Sequence, residues 1–170
     1  SILNAFDGFV SPSGVTWDAA FVQAAAMWNS NTPFAFSTVA GSFSDPCDPL
    51  DFRNGVDFTL DVCGDAYGAT TLAVTLSFSD GPIRTQTDIV FNGQASLFWD
   101  VYGGPLSFFD EFRRVAAHEL GHALALGHSS SASALMFPMV GGTETPQSDD
   151  IAGATALYGG CGSFTVVPPD

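Results

Sequence analysis

The chain reads as an α+β domain, a twisted mixed sheet of five strands carrying about three helices. Alternation of apolar and polar residues marks half-buried strands at residues 34–39, 56–62 and 71–78, with a shorter run at 88–91. Residues 2–6 supply a first strand. Helical periodicity appears once among the strands and twice after them, an order that suits a sheet with its helices packed upon it. At 170 residues, 46% hydrophobic and with 16 phenylalanines, the chain can bury one sizeable core. Residues 1–160 are therefore expected to form a single domain. Residues 161–170, ending Pro168-Pro169-Asp170, read as a tail or linker.

The helices justify themselves in turn. Over residues 16–29, Trp17, Phe21, Ala24, Ala25 and Trp28 recur at the 3.6-residue period, so these aromatics belong to the core. A second helix is expected from Ser107, which with Asp110 resembles a capping box, while Asp110 and Glu111 favour the positive end of the helix dipole. Phe112, Val115 and Ala116 would then face inward, with helical order lasting to about Ala125. A third helix can start at Thr145-Pro146 or at Ser148 and run to Leu157, where Gly159-Gly160 stops it. Asp149 and Asp150 serve its N-terminal dipole.

Charge narrows the partners. Fifteen aspartates and three glutamates face four arginines and no lysine, a formal net charge of −14. Such a surface repels phosphate backbones and anionic lipids, which argues against nucleic acid and membrane partners. It suits salty water, where screening weakens self-repulsion, and is also compatible with basic substrates. No apolar run is long enough to span a bilayer. The chain begins at Ser1 without a basic segment and apolar core, as a processed or trimmed form would, with any leader or pro-segment removed or lying outside it.

Three cysteines remain. Cys47 and Cys63 flank a short loop that a disulfide could close. Cys161 is then left over, as a free thiol, as a partner for something outside the chain, or as a competitor for one of the other two. None has metal-ligand spacing.

The chemistry is concentrated in His118-Glu119-Leu120-Gly121-His122-Ala123-Leu124-Ala125-Leu126-Gly127-His128. On a helix, His118 and His122 stand one turn apart on one face, so both imidazoles can reach one metal, with Glu119 about 100° round toward the open side. His128 is too far along for the same face, so the chain must leave the helix and double back to bring a third nitrogen. Three protein ligands leave one tetrahedral position open for water, the arrangement of a catalytic zinc site. A lone His-Glu-x-x-His can be no more than a polar helix face. Here all three histidines of the chain fall inside eleven residues.

These residues resemble the metzincin metallopeptidases, whose motif runs His-Glu-x-x-His-x-x-Gly-x-x-His before a tight turn around a methionine. Ala134-Leu135-Met136-Phe137-Pro138 matches that turn. Ser129 after the third histidine, and Asp149-Asp150-Ile151-Ala152-Gly153 running on to Leu157-Tyr158-Gly159, are similar to the matrixin branch in particular. The resemblance implies a metzincin-like α+β domain, with Met136 as a hydrophobic floor under the ligands. It implies that residues 71–78 form the edge strand beside the cleft, open to an extended substrate. It also implies that residues 138–145 wall the pocket for the side chain after the cut, and that an aspartate at 149 or 150 can receive a freed N-terminal amine.

The chain departs from the family in places. Ala125 stands where the motif has glycine. Because the helix end there takes a positive φ, either Ala125 is strained by roughly 1 kcal/mol or more, or the turn shifts toward Gly127. The second, structural zinc of matrixins has no histidines left to hold it. Calcium is a conceivable substitute, since residues 45–65 are rich in carboxylates, although no ordered calcium motif can be read there. A tyrosine ligand of astacin type is absent, Phe137 and Pro138 occupying its place. A downstream acid ligand such as Glu144 is a weaker candidate than His128.

The expectation is a secreted, monomeric zinc endopeptidase acting on proteins or peptides, with His118, His122 and His128 as metal ligands and Glu119 as general base. Two alternatives stand beside it: a zinc-retaining binding or adhesion module with little catalysis, and a metal-dependent hydrolase of non-peptide amides.

Overall fold

The computed structural model describes residues 2–4, 6, 10–40, 45–94, 99–100 and 110–159. Five strands form one sheet: β1 (Ile2–Asn4), β2 (Thr38–Ala40), β3 (Gly55–Thr59), β4 (Ala73–Asp80) and β5 (Ile83–Asn92), in the spatial order β2-β1-β3-β5-β4. All neighbours are parallel except β4, which runs antiparallel to β5 from a tight hairpin and forms one edge. The mixed five-stranded sheet is the expected one, and its fourth strand is the edge strand.

Strand lengths differ from the pattern for identifiable reasons. β5 begins at Ile83, whereas alternation marked only residues 88–91. From Gln86 to Asn92 every residue of β5 is buried, polar ones included, so no alternation survives. Gln86 accepts from Phe52 N at 3.1 Å and donates to Asp48 O at 3.0 Å and Asp88 Oδ2 at 2.8 Å, while Asp88 Oδ1 accepts from Gly55 N at 2.8 Å. These bonds tie the acidic loop before β3 to the middle of the sheet. Burial pushes the Asp88 carboxyl up to about 6.

The first helix, α1 (Trp17–Asn31), starts where the periodicity placed it, with Thr16 Oγ1 accepting from Ala19 N at 3.2 Å. Ala20, Phe21, Ala24, Ala25 and Trp28 are buried, and Trp17 is half-buried with its ring against Phe58 and Phe112.

The second helix corrects an expectation. It is α2 (Phe112–Ala123), and its N-cap Glu111 makes no side-chain capping bond. Asp110–Glu111 instead form a short strand, β7, parallel to β6 (Trp99–Asp100), so extended backbone occupies the place assigned to the first helical turn. Ser107 lies outside the described residues. Phe112, Val115 and Ala116 do face inward. Phe112 sits at the centre of an aromatic cluster, 4.6 Å from Phe91, 5.0 Å from Trp17 and 5.4 Å from Phe6 between ring centroids. That cluster wedges α2 against the sheet, and a bond of 2.8 Å from Trp28 Nε1 to Ala117 O fastens it to α1.

The third helix, α3 (Ser148–Tyr158), starts at the later of the two expected positions. Gln147 and Asp150 form a reciprocal capping box at its start. Cys47 and Cys63 are joined in a disulfide; Cys161 falls outside the described residues. Among the described residues no helix is long and apolar enough to cross a membrane.

Candidate metal centre

Helix α2 presents His118 and His122 one turn apart, their ring centroids separated by 4.8 Å. The helix then stops quickly. Leu124 N bonds back to Leu120 O and Gly121 O, and Leu126 N to Gly121 O at 3.0 Å, folding the chain over its own last turn. Ala125 takes φ +68°, the left-handed conformation that glycine adopts without strain, whereas Gly127 does not have positive φ. Of the two arrangements open to the sequence, the strained one is realised. The turn brings His128 to 4.8 Å from His122 and 5.3 Å from His118, centroid to centroid.

Beneath the histidines lies the turn around Met136. Ser129 N donates to Met136 O at 2.8 Å, closing residues 129–136 as a loop. Asp150 holds it from below, accepting from Leu135 N at 2.8 Å, Met136 N at 3.0 Å and Gln147 N at 2.7 Å. A Cβ at Gly121 would collide with the Met136 sulfur and the Trp28 ring. The glycine inside His-Glu-x-x-His is therefore a packing requirement, since it lets the methionine close up under the helix. Asp149 accepts from Ser129 Oγ at 2.6 Å.

The ring tautomers follow from the carbonyls. His118 Nδ1 is 2.8 Å from Leu135 O, and His122 Nδ1 is 2.8 Å from Leu126 O. A carbonyl can only accept, so both Nδ1 atoms carry hydrogen and both Nε2 atoms present lone pairs. Burial lowers all three histidines from their ordinary pKa, His118 to about 4, so the imidazoles are neutral near pH 7. His122 Nε2 and His128 Nε2 stand 3.2 Å apart, and ligand atoms of all three rings lie within 4.8 Å of one another. Lone pairs facing at that distance repel unless a proton or a cation lies between them. The edge of a tetrahedron with metal–nitrogen bonds of about 2.0–2.1 Å is roughly 3.3 Å. The donor set therefore fits a tetrahedral, nitrogen-loving cation. Among the described residues no other cluster of histidine, cysteine or carboxylate meets this condition.

Glu119 stands beside the histidines, only 6% exposed. Thr75 Oγ1, from β4, donates to its Oε2 at 2.6 Å. Burial outweighs that bond and pushes the Glu119 carboxyl up to about 7. Glu119, His118 and His128 open into a cleft of about 620 Å³. Residues 70–73, leading into the edge strand, line it together with Val115, Leu135, residues 137–141 and Thr143.

A family comparison agrees with this geometry: residues 11–159 match the matrixin family of peptidases. The chain is a matrixin. It is 30% identical over 149 residues to stromelysin-1 of Rattus norvegicus, covering 84% of this chain and 28% of the rat protein. Matrix metalloproteinase-20 of Homo sapiens is 32% identical over 155 residues, 88% of this chain and 29% of the human one. A shorter match to matrix metalloproteinase-9 of Canis lupus familiaris reaches 57% identity over 47 residues, 26% of this chain and 7% of that protein. The chain thus spans less than a third of the length of these relatives. The metzincin-like α+β fold expected from the motif is the fold of this matrixin domain.

Within it, residues from both the expected cleft edge and the expected pocket wall line the cleft with His118 and His128. Glu144, the alternative acid ligand, is instead paired with Arg113 at 2.7 Å. Three residues escaped the sequence pattern. Thr75 and Asp150 bond to the site from distant segments. Arg84, at the start of β5, donates to His122 O at 2.9 Å and Ala123 O at 3.0 Å, capping the C-terminal end of α2. Nothing in the local sequence marks Thr75 or Arg84. Asp150 had a signal, read as a partner for the helix dipole or for a freed N-terminal amine, whereas its bonds to Leu135 N and Met136 N join segments 15 and 14 positions apart.

Proposed function

We propose that this matrixin domain is a secreted zinc-dependent endopeptidase, in which His118, His122 and His128 hold the metal and Glu119 is the general base. One observation carries the proposal: three neutral imidazoles converge beside a buried carboxylate, in a cleft bounded by an open sheet edge. A non-peptide amide would have no use for that edge, whereas an extended peptide can pair with it. When bound, zinc would supply the Lewis acidity that acidifies a water molecule and polarises the scissile carbonyl. Glu119, a buried carboxylate next to His118 in the same cleft, is placed to take that water's proton and return it to the leaving amine. The Nδ1 bonds to Leu135 O and Leu126 O keep His118 and His122 oriented with Nε2 inward. Met136, Gly121 and Asp150 keep the floor rigid beneath them. Residues 137–141 and Thr143 receive the side chain that follows the cut. Residues 1–160 form the catalytic domain, with the remainder a tail, and the domain acts as a monomer outside the cell. The disulfide and the acidic surface support an extracellular setting.

The test is cleavage of casein by the purified zinc-loaded chain, with and without a chelator, beside Glu119→Ala of matched zinc content. Chelator-sensitive cleavage that disappears in the variant is expected. If wild type and variant both retain zinc and neither cuts casein at any salt concentration, the domain is a zinc-bearing binding module.

A further inference from the structure

The edge strand reaches into the catalytic group itself. Thr75 is the third residue of β4, opposite Ile89 of β5, which is fully buried in the core that α2 shares. Strand alternation places Thr75 on that same helix-facing side, as it does Ala73, which lines the cleft. From there the Thr75 hydroxyl reaches both the carboxylate of Glu119, at 2.6 Å, and its backbone carbonyl, at 3.2 Å. Among the described residues it is the one hydrogen-bond donor to that carboxylate.

A hydroxyl has one hydrogen to give, and the shorter bond to Oε2 takes it. Three consequences follow from the geometry. One lone pair of Oε2 is taken, which leaves Oε1 as the oxygen with both open. The glutamate side chain, otherwise able to rotate about three bonds, is fixed at its far end by a strand rather than by its own helix. Because that strand is also the cleft edge, anything that seats against β4 seats against the element that aims the base.

We propose that Thr75 is a positioning residue for Glu119: its hydroxyl orients the carboxylate of the general base and couples that orientation to the substrate-binding edge strand. The inference rests on the peptidase reading of the site. It assigns a role to β4 beyond backbone pairing with substrate, and it gives the chain a hydrogen bond to its base that the motif itself does not contain.

Valine is isosteric with threonine and keeps the branched shape in the strand, so Thr75→Val removes the hydroxyl with little change in packing. Thr75→Ser restores the hydroxyl on a smaller side chain. With casein-derived peptides, Thr75→Val should lower kcat roughly 10- to 100-fold, as loss of an orienting partner does elsewhere, with KM changed less than about twofold. Thr75→Ser should recover most of that loss. A purely structural role would predict the reverse order, because serine leaves a methyl-sized gap and valine does not. A second readout needs no turnover. Acetohydroxamate chelates a metal through two oxygens and can hydrogen-bond a neighbouring carboxylate, and its binding to the cobalt-loaded protein can be followed in the visible spectrum. Thr75→Val should bind it severalfold more weakly than wild type, and Thr75→Ser about equally. If wild type cuts while Thr75→Val keeps both wild-type kcat and wild-type acetohydroxamate affinity, the positioning role is wrong and the peptidase stands. If wild type itself does not cut, the peptidase reading fails first, and equal acetohydroxamate binding by wild type and Thr75→Val then overturns the positioning role as well.

Discussion

Ala125 shows how a single residue can sit against its own preference and still be correct for the site. Its φ of +68° is where the chain must turn to deliver His128, and an exposed alanine there has no compensating contact of its own to lose. Left-handed backbone costs a non-glycine residue about 1–2 kcal/mol, while glycine costs up to about 1 kcal/mol more in lost chain entropy. The balance favours Ala125→Gly by a fraction of a kcal/mol up to about 1. Thermal unfolding of the apo-protein is expected to shift up by about 1–4 °C in the variant, with cleavage unimpaired. A lower melting temperature would show that alanine is better accommodated than its backbone angle implies. Gly121 is the converse case, a residue whose missing side chain is the point. There the Met136 sulfur and Trp28 ring leave no space even for a methyl group.

Among the elements, the loop before β3 is held twice. The Cys47–Cys63 bond encloses all of β3 in a ring with a sequence separation of 16, and Gln86 and Asp88 of β5 fasten the same loop by hydrogen bonds. A ring of that length stabilises a fold by about 3 kcal/mol, chiefly by restricting the unfolded chain. The Cys47→Ser/Cys63→Ser variant should therefore unfold roughly 6–12 °C lower. A shift under a degree would mean that the buried polar bonds alone keep the loop in place. What the sequence revealed at this scale follows a physical division. Elements with one wet face were visible in the alternation of β4 and the apolar stripe of α1, and so was the pair of histidines one turn apart. β5 was only partly visible, because burial on both faces erased its periodicity and its polar residues are satisfied by a loop 30-odd positions away. The start of α2 was misplaced because Asp110 and Glu111, good first-turn residues by charge, pair with β6 instead. Thr75 and Arg84 were invisible for the same reason: each acts on α2 across the fold, and only the fold brings it there.

At the scale of the whole molecule, charge is the dominant feature. A net −14 on 170 residues is self-repelling, and three of the four arginines are occupied around α2: Arg84 at its end, Arg113 and Arg114 beside Glu111 at its start. Few attractive surface pairs exist for salt to weaken, so screening should act mainly on repulsion. The screening length falls from about 10 Å at 0.1 M to about 3 Å at 1 M. The midpoint of urea unfolding, an uncharged denaturant, is expected to rise steadily across that range of sodium chloride. A flat or falling midpoint would place the stabilising electrostatics in the few ion pairs.

The order of strands in the sheet also sets a timetable for folding. β1 precedes β2 and β3 in the chain yet lies between them, its register joining Ile2 to Thr38 and Leu3 to Gly55. Neither partner has emerged when β1 leaves the ribosome, and each pairing must close a long loop before it returns any contact energy. Among the described strands only β4 and β5 meet through a tight turn. Assembly is therefore expected to grow outward from that hairpin, on the millisecond-to-second scale of chains rich in distant contacts, so that the first strand of this sheet waits longest for its place. The hairpin that starts this sequence carries Thr75 and Arg84, so the part of the sheet that orders first is the part that steadies the helix of the metal centre.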